Sequence, residues 1–144
     1  RPALANWGAS LDFWKVAVKP GKPVMIATRA EQVVVGLPGN PVSSSVTAFL
    51  FVLPLLRALS GSTQPFPRPI QAIAAKPLPA GGSRQEFLRA TFDGLRAKAR
   101  LNQDSGALGS LARANALIER PVDAPAAAAG DVISLYLLEN GGIA

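Results

Sequence analysis

The stretch Val33-Val34-Val35-Gly36-Leu37-Pro38-Gly39-Asn40-Pro41-Val42-Ser43-Ser44-Ser45 constrains the fold more than any other part of the chain. Consecutive valines read as the end of a buried strand. Gly36 to Gly39 forms a tight loop punctuated by glycine and proline. Asn40 is a favoured N-cap, because its side-chain oxygen accepts a free backbone N–H at a helix start. Pro41 suits the first helical position, where its missing N–H costs nothing. Strand, glycine loop and helix start together make a geometry that can receive an anion. An ordinary βα turn has the same pattern, so the loop alone names no ligand. It is not a Walker loop, because no Gly-Lys-Ser/Thr follows, and it is not a dinucleotide fingerprint.

The helix after Asn40 is expected to reach about Leu59, since Val42, Val46, Phe49, Leu50, Leu53 and Leu56 recur at helical spacing. Pro54 lies inside it, and an interior proline costs about 3 kcal/mol and kinks a helix, which predicts a bend near Leu50. Ser60-Gly61 is a plausible stop. Upstream, Ala3 to Asp12 reads as a short helix or a loop, and Phe13 to Val18 as one strand. Lys19-Pro-Gly-Lys-Pro23 is a turn; Val24 to Thr28 and Gln32 to Val35 are strands joined by a polar connection.

Ser62 to Pro69 is proline-rich and reads as a linker. Beyond it, strand-like runs dominate: Ile70 to Ala75, Glu86 to Phe92, Leu95 to Leu101, Ala116 to Glu119 and Val132 to Leu138. Asp93-Gly94 is a strong hairpin turn. Arg96, Lys98 and Arg100 alternate with Leu95, Ala97, Ala99 and Leu101, giving one wet and one apolar face. Ser110 to Ala114 suits one helical turn, and Pro121 to Gly130 a surface connection. The fold class expected is an α/β remnant, strands plus one long helix, over residues 1–63, followed by a small all-β, barrel-like unit over residues 64–144.

The 144 residues contain no Cys and no His. That excludes disulfides, thiolate zinc sites, cysteine nucleophiles and imidazole bases together. The net charge of +6, from 15 basic and 9 acidic residues, suits anionic partners. No basic run with interleaved aromatics appears, which argues against a nucleic-acid footprint. The apolar stretch Val46 to Leu56 is too short for a bilayer, which needs about 20 residues. With no segment resembling a signal peptide, a cytoplasmic location and no membrane partner are expected. The start at Arg1-Pro2-Ala3, without Met, suggests a piece of a longer chain.

Several polar groups could act on an anion. Ser43, Ser44 and Ser45 follow the glycine loop, and Lys19 and Lys22 flank a Pro-Gly turn where two cations can clamp an oxyanion. In Arg84-Gln-Glu-Phe-Leu-Arg89, Arg84 and Glu86 share one strand face, so Glu86 is placed to orient Arg84; Phe87 and Arg89 point the other way. Ser105-Gly106 lies in a loop that could present a hydroxyl and amides. Trp7, Phe13 and Trp14 read as packing residues.

Taken in order, these pieces resemble one family, the molybdopterin molybdenumtransferases of the MoeA and gephyrin E-domain type. Val16-Ala-Val-Lys-Pro-Gly-Lys-Pro23 is similar to its lysine turn, and Gly36-Leu-Pro-Gly-Asn-Pro-Val-Ser43 to its signature loop. Arg84-Gln-Glu-Phe-Leu-Arg89 resembles its arginine strand, and Ser105 to Asn115 the segment that follows. The resemblance implies part of a three-layer molybdopterin-binding domain and a C-terminal β-barrel. It implies insertion of molybdate into adenylyl-molybdopterin with release of AMP, assisted by Mg²⁺. Lys19, Lys22 and Arg84 would be catalytic. Pro23, Gly36, Pro38, Gly39, Asn40, Pro41, Ser43, Arg89 and Ser105 would bind substrate.

The family's acidic, metal-holding motif is expected upstream of the lysine turn, so no metal site is expected in this chain. The resemblance also implies a homodimer in which the two domains meet across the interface and share the site, and a molybdopterin adenylyltransferase as pathway partner. Gly109 departs from the family, where serine is common. Molybdate and tungstate are not separated. A gephyrin-like scaffold that binds peptides is the alternative reading, and a basic nucleic-acid binder a third.

Overall fold

The computed structural model describes residues 2–13, 16–21, 23–101, 103 and 108–142. Helix α1 (Pro2–Asn6) leads into strand β1 (Ser10–Phe13), which pairs antiparallel with β3 (Met25–Arg29); β3 pairs in turn with β4 (Gln32–Gly36). The single strand expected over Phe13 to Val18 is therefore two strands in different sheets: β1, and β2 (Val18–Lys19), which leaves for the second sheet. Trp14 and Lys15 lie outside the described residues. Trp7 is partly exposed, with the Arg29 guanidinium carbon 4.5 Å from its ring centre, so it does not pack in a core.

From β4 the chain passes through the glycine loop into α2 (Pro41–Thr47), a π-helical turn (Ala48–Val52) and α3 (Leu53–Leu59). The π turn answers the strain expected near Leu50. Pro54 has no N–H to donate to the Leu50 carbonyl, and its ring crowds that position. The turn before it widens, and the Leu53 N–H reaches back five residues to the Ala48 carbonyl. As one unit, residues 41–59 are long and apolar enough to cross a bilayer by length and composition alone, which the shorter run counted in the sequence had not suggested. In this structure Val42, Val46 and Phe49 are buried.

The linker is tied down. Arg57 donates to the Pro65 carbonyl at 3.3 Å and to the Gly141 carbonyl at 2.7 Å, and the Arg68 N–H to the Gly142 carbonyl at 2.9 Å. The C-terminal 3₁₀ turn Glu139–Gly142 thus closes over the end of the helix.

Strands β5 (Ile70–Ala74), β6 (Gln85–Phe92), β7 (Arg96–Ala99), β8 (Ala116–Arg120) and β9 (Val132–Leu137) form the second sheet. Following the pairings β6–β7–β5–β9–β8 and back to β6 closes a five-stranded barrel; only β5–β7 is parallel within it. So narrow a barrel has little interior volume, and alanines fill much of it. Ala72, Ala74, Ala90, Ala97, Ala116 and Ala127 pack with Leu78, Ile118, Ile133 and Leu135. At the Asp93-Gly94 hairpin Gly94 takes φ +104°, and Asp93 Oδ1 accepts the N–H groups of Leu95 and Arg96 at 3.0 and 2.7 Å. Leu95 and Leu101 fall beyond the ends of β7 and are exposed, so the apolar face expected for that strand is limited to Ala97 and Ala99.

The alanine- and proline-rich segment 121–130 is more than a surface connection. Leu78 and Ala127 exchange backbone hydrogen bonds of 2.8 and 3.0 Å, both side chains join the barrel core, and the buried Arg120 donates to the carbonyls of Pro79 and Pro125. Outside the barrel a second core joins the helix to the strands. Val46 and Phe49 pack on Phe87 and Leu117, flanked by Val18, Leu53 and Tyr136. This explains why β8 is buried on both faces: Ile118 points inward and Leu117 outward under the helix.

Candidate functional site

Strand β2 runs parallel to the start of β6, with Val18 opposite Gln85 and Lys19 opposite Glu86. A hydrogen bond from the Gln85 N–H to the Ala17 carbonyl, 3.0 Å, extends the pairing. The lysine turn and the arginine strand, some sixty residues apart in sequence, therefore meet within one chain.

Lys19 Nζ lies 3.0 Å from Glu86 Oε1, with the lysine side chain 51% exposed and the glutamate side chain 18% exposed. The expected partnership of Glu86 with Arg84 is not formed. Arg84 sits in the bend before β6, half-buried, and makes no hydrogen bond or ion pair with any described residue. The local pattern places Arg84 and Glu86 on one face only if the strand begins at Arg84, and it begins at Gln85.

Past Lys19, the turn lies on the long helix. Gly21 is buried with φ +149°, and a Cβ there would come 3.2 Å from Thr47 Oγ1. Thr47 is itself 1% exposed, and its hydroxyl has no hydrogen-bond partner among the described residues. Pro23 is exposed beside the buried Val24. Lys22 lies outside the described residues, as does Ser105.

The glycine loop has the capped form expected. Asn40 Oδ1 accepts the N–H groups of Val42 at 3.0 Å and Ser43 at 3.2 Å, and the Ser44 N–H bonds the Asn40 carbonyl at 2.8 Å. The cap thus engages the amides that a bare helix start would offer to an anion. Pro38 is buried, Pro41 exposed, and Ser43 6% exposed. Ser45 Oγ donates back to the Pro41 carbonyl at 3.0 Å. Gly36 packs tightly: a Cβ there would sit 3.1 Å from Met25 Cβ, so the facing strand would have to give by a few tenths of an ångström. Gly39 is not required: its φ is not positive and a Cβ would meet nothing within 4 Å. Glycine at that position leaves the top of the loop bare.

Arg89 points with Phe87 away from the barrel interior, as the alternation predicts, but it is wholly buried. Its Nε donates to Ser110 Oγ at 3.1 Å, on helix α4 (Leu108–Ala112). Its own N–H and carbonyl bond the Gln103 side chain at 3.0 and 2.9 Å. Arg89, expected to bind substrate, here holds α4 and residue 103 against β6. Gln103 and Ser110, like Thr47, carried no signal in the sequence that distinguished them from surface polar residues.

A half-exposed cation anchored by one carboxylate, beside the helix that follows a glycine loop, can hold and neutralise an oxyanion. Among the described residues of the set, none forms a nucleophile–base pair. Among the described residues no three Asp, Glu, His or Cys side chains come together. Mg²⁺ takes oxygen ligands, typically carboxylates, and the carboxylate present, Glu86, is engaged by Lys19. These residues do not fit a magnesium site.

Two family models match the chain: the probable molybdopterin binding domain over residues 2–58 and the MoeA C-terminal region, domain IV, over residues 71–138. The molybdenum cofactor synthesis protein cinnamon of Drosophila melanogaster is 37% identical over 133 residues, 86% of this chain and 22% of that protein. A molybdopterin molybdenumtransferase of Nostoc is 33% identical over 144 residues, 93% of this chain and 33% of that protein. The crystal structure of a molybdopterin biosynthesis MoeA protein from Pyrococcus horikoshii superposes with a TM-score of 0.74 at 28% identity, over 88% of this chain and 32% of that one. The matches span no more than about a third of the length of the curated relatives. With both matched regions in order, and with the same helix-on-barrel architecture, the chain belongs to the MoeA and gephyrin E-domain family of molybdenum cofactor biosynthesis.

Proposed function

We propose that the protein to which this chain corresponds inserts molybdate into adenylyl-molybdopterin and releases AMP. The observation that carries this reading is the meeting of Lys19 and Glu86 on paired strands β2 and β6, beside the helix that follows the glycine loop. Lys19, Lys22 and Arg84 would supply positive charge to molybdate and to the phosphoryl group. Gly36 to Ser43 would form the wall facing the pterin and phosphate, with Ser105 adding a hydroxyl. The chemistry is electrostatic: fixed cations stabilise charge as the phosphoryl bond breaks, with no covalent intermediate on the protein. Mg²⁺, supplied with other parts of a longer protein or with substrate, would neutralise phosphate charge; this chain's residues would orient the anions.

The proposal extends to a homodimer with a shared site, a cytoplasmic location, and supply of substrate by a molybdopterin adenylyltransferase. It also treats residues 1–63 and 64–144 as parts of two domains. The test is AMP release by the full-length protein given adenylyl-molybdopterin and molybdate. Molybdate-dependent AMP release, lost in Lys19→Ala, is the expected result. Release at the same rate without molybdate, or none at all from folded protein, overturns it.

A further inference from the structure

We propose a second anion site, distinct from the one above, in the cavity between strand β7 and helix α4, that takes a phosphorylated small molecule. The cavity has a volume of about 500 Å³ and is lined by Thr91, Lys98, Arg100, Leu101, Gly109, Ser110 and Arg113, with Ala99. That volume lies within the range of small-molecule pockets, about 300–1,000 Å³. Among the described residues that line it, three carry cations and none is acidic. Among the described residues, Lys98, Arg100 and Arg113 have no carboxylate partner.

A solvated strand face explains Lys98 and Arg100 by themselves, since they alternate with Ala97 and Ala99 on β7. It does not explain Arg113, which arrives from the turn that ends α4. A sphere of this volume is about 10 Å across, no wider than the Debye length of about 10 Å at 0.1 M salt. The three charges therefore repel one another with little screening, and a bound polyanion removes that cost. Arginine forks suit phosphate oxygens bidentately, and lysine adds a point charge. The buried Arg89–Ser110 bond fixes the floor by holding α4 to β6. Leu101, 96% exposed at the mouth, gives an apolar edge that a nucleoside or similar body can cover. The strand rise of about 3.3 Å per residue puts Thr91 roughly 16 Å along β6 from Glu86, so Lys19 does not share this cavity.

The test is a titration of the ¹⁵N-labelled 144-residue chain with AMP, and separately with inorganic pyrophosphate, at constant ionic strength. Saturable amide shifts confined to residues 98–101 and 109–113 support the proposal. Shifts with both probes identify phosphate as the recognised group; shifts with AMP alone require the nucleoside as well. The Lys98→Gln/Arg113→Gln double variant, both positions exposed, is expected to keep a dispersed spectrum and to bind about tenfold more weakly. Arg68→Gln/Lys76→Gln, with the same loss of charge elsewhere, is expected to bind as wild type. Shifts confined to residues 36–43, shifts that rise linearly across all basic residues, an unchanged affinity in the double variant, or no shifts at all overturn it.

Discussion

Lys19 Nζ and Glu86 Oε1, 3.0 Å apart, join the short strand β2 to strand β6 of the barrel. Both ends are partly solvated, so the pair contributes about 0–1 kcal/mol to stability. Its larger effect is positional. In the full-length protein, Glu86→Gln is expected to leave the unfolding midpoint in urea nearly unchanged. It should lower the rate of AMP release by roughly 10- to 100-fold, since small misplacements of a charged group cost that much. An unaltered rate would make the pair a surface contact only.

The Arg89–Ser110 bond makes a contrasting prediction. Arg89 is wholly buried, and its removal leaves a cavity, an underpaired serine hydroxyl and a loosened α4. Arg89→Ala is expected to destabilise the chain by about 2–5 kcal/mol, measured by urea denaturation of the 144-residue chain. The exposed Arg96→Ala should stay within about 0.5 kcal/mol of wild type.

Asn40 caps α2 through two side-chain hydrogen bonds. Asn40→Ala is expected to cost about 0.5–2 kcal/mol, read as a fall in thermal midpoint. Hydrogen exchange should quicken first at the Val42 and Ser43 amides. Equal acceleration along the whole helix would show that the cap is not local.

Acid stability depends in part on Asp93. Its carboxylate accepts the Arg96 and Leu95 N–H groups, and these bonds hold its pKa below the ordinary 3.8. Near that ordinary value the unfolded chain binds more protons at this position than the folded chain does. The contribution is therefore complete above the unfolded pKa and is lost as pH falls through the lower, folded one. NMR titration of the Asp93 carboxyl carbon should give a midpoint below 3.8, and Asp93→Asn should flatten the acid limb of the stability profile.

Local features were legible because local physics decides them. Asn40 and Pro41 start a helix wherever they stand, Asp93-Gly94 turns any hairpin, and Pro54 disturbs the turn before it. The strand runs from Ile70 onward were placed to within a residue or two for the same reason. The family was legible from four motifs in order. What could not be read was which distant residues meet. Glu86 was assigned to its neighbour Arg84, but the parallel pairing of β2 with β6 brings Lys19 to it instead. Arg89 looked like an available cation until α4 covered it. Lys98 and Arg100 read as a wet face because nothing in the sequence says that Arg113 faces them.

The two-residue strand β2 makes the chain unequally tolerant of changes in length. Side chains alternate faces along a strand, so a slip of one residue against β6 would turn Lys19 to the opposite face. Its position is all-or-none. Inserting or deleting a single residue just before Val18 would therefore remove the cation from Glu86 outright. A similar change among the exposed residues 62–64 would disturb only local turn bonds, such as the Ser62 N–H to the Arg57 carbonyl, and loop entropy, which grows slowly with length. Evolutionary drift in chain length has room in the connection after the helix and almost none in the few residues that feed β2.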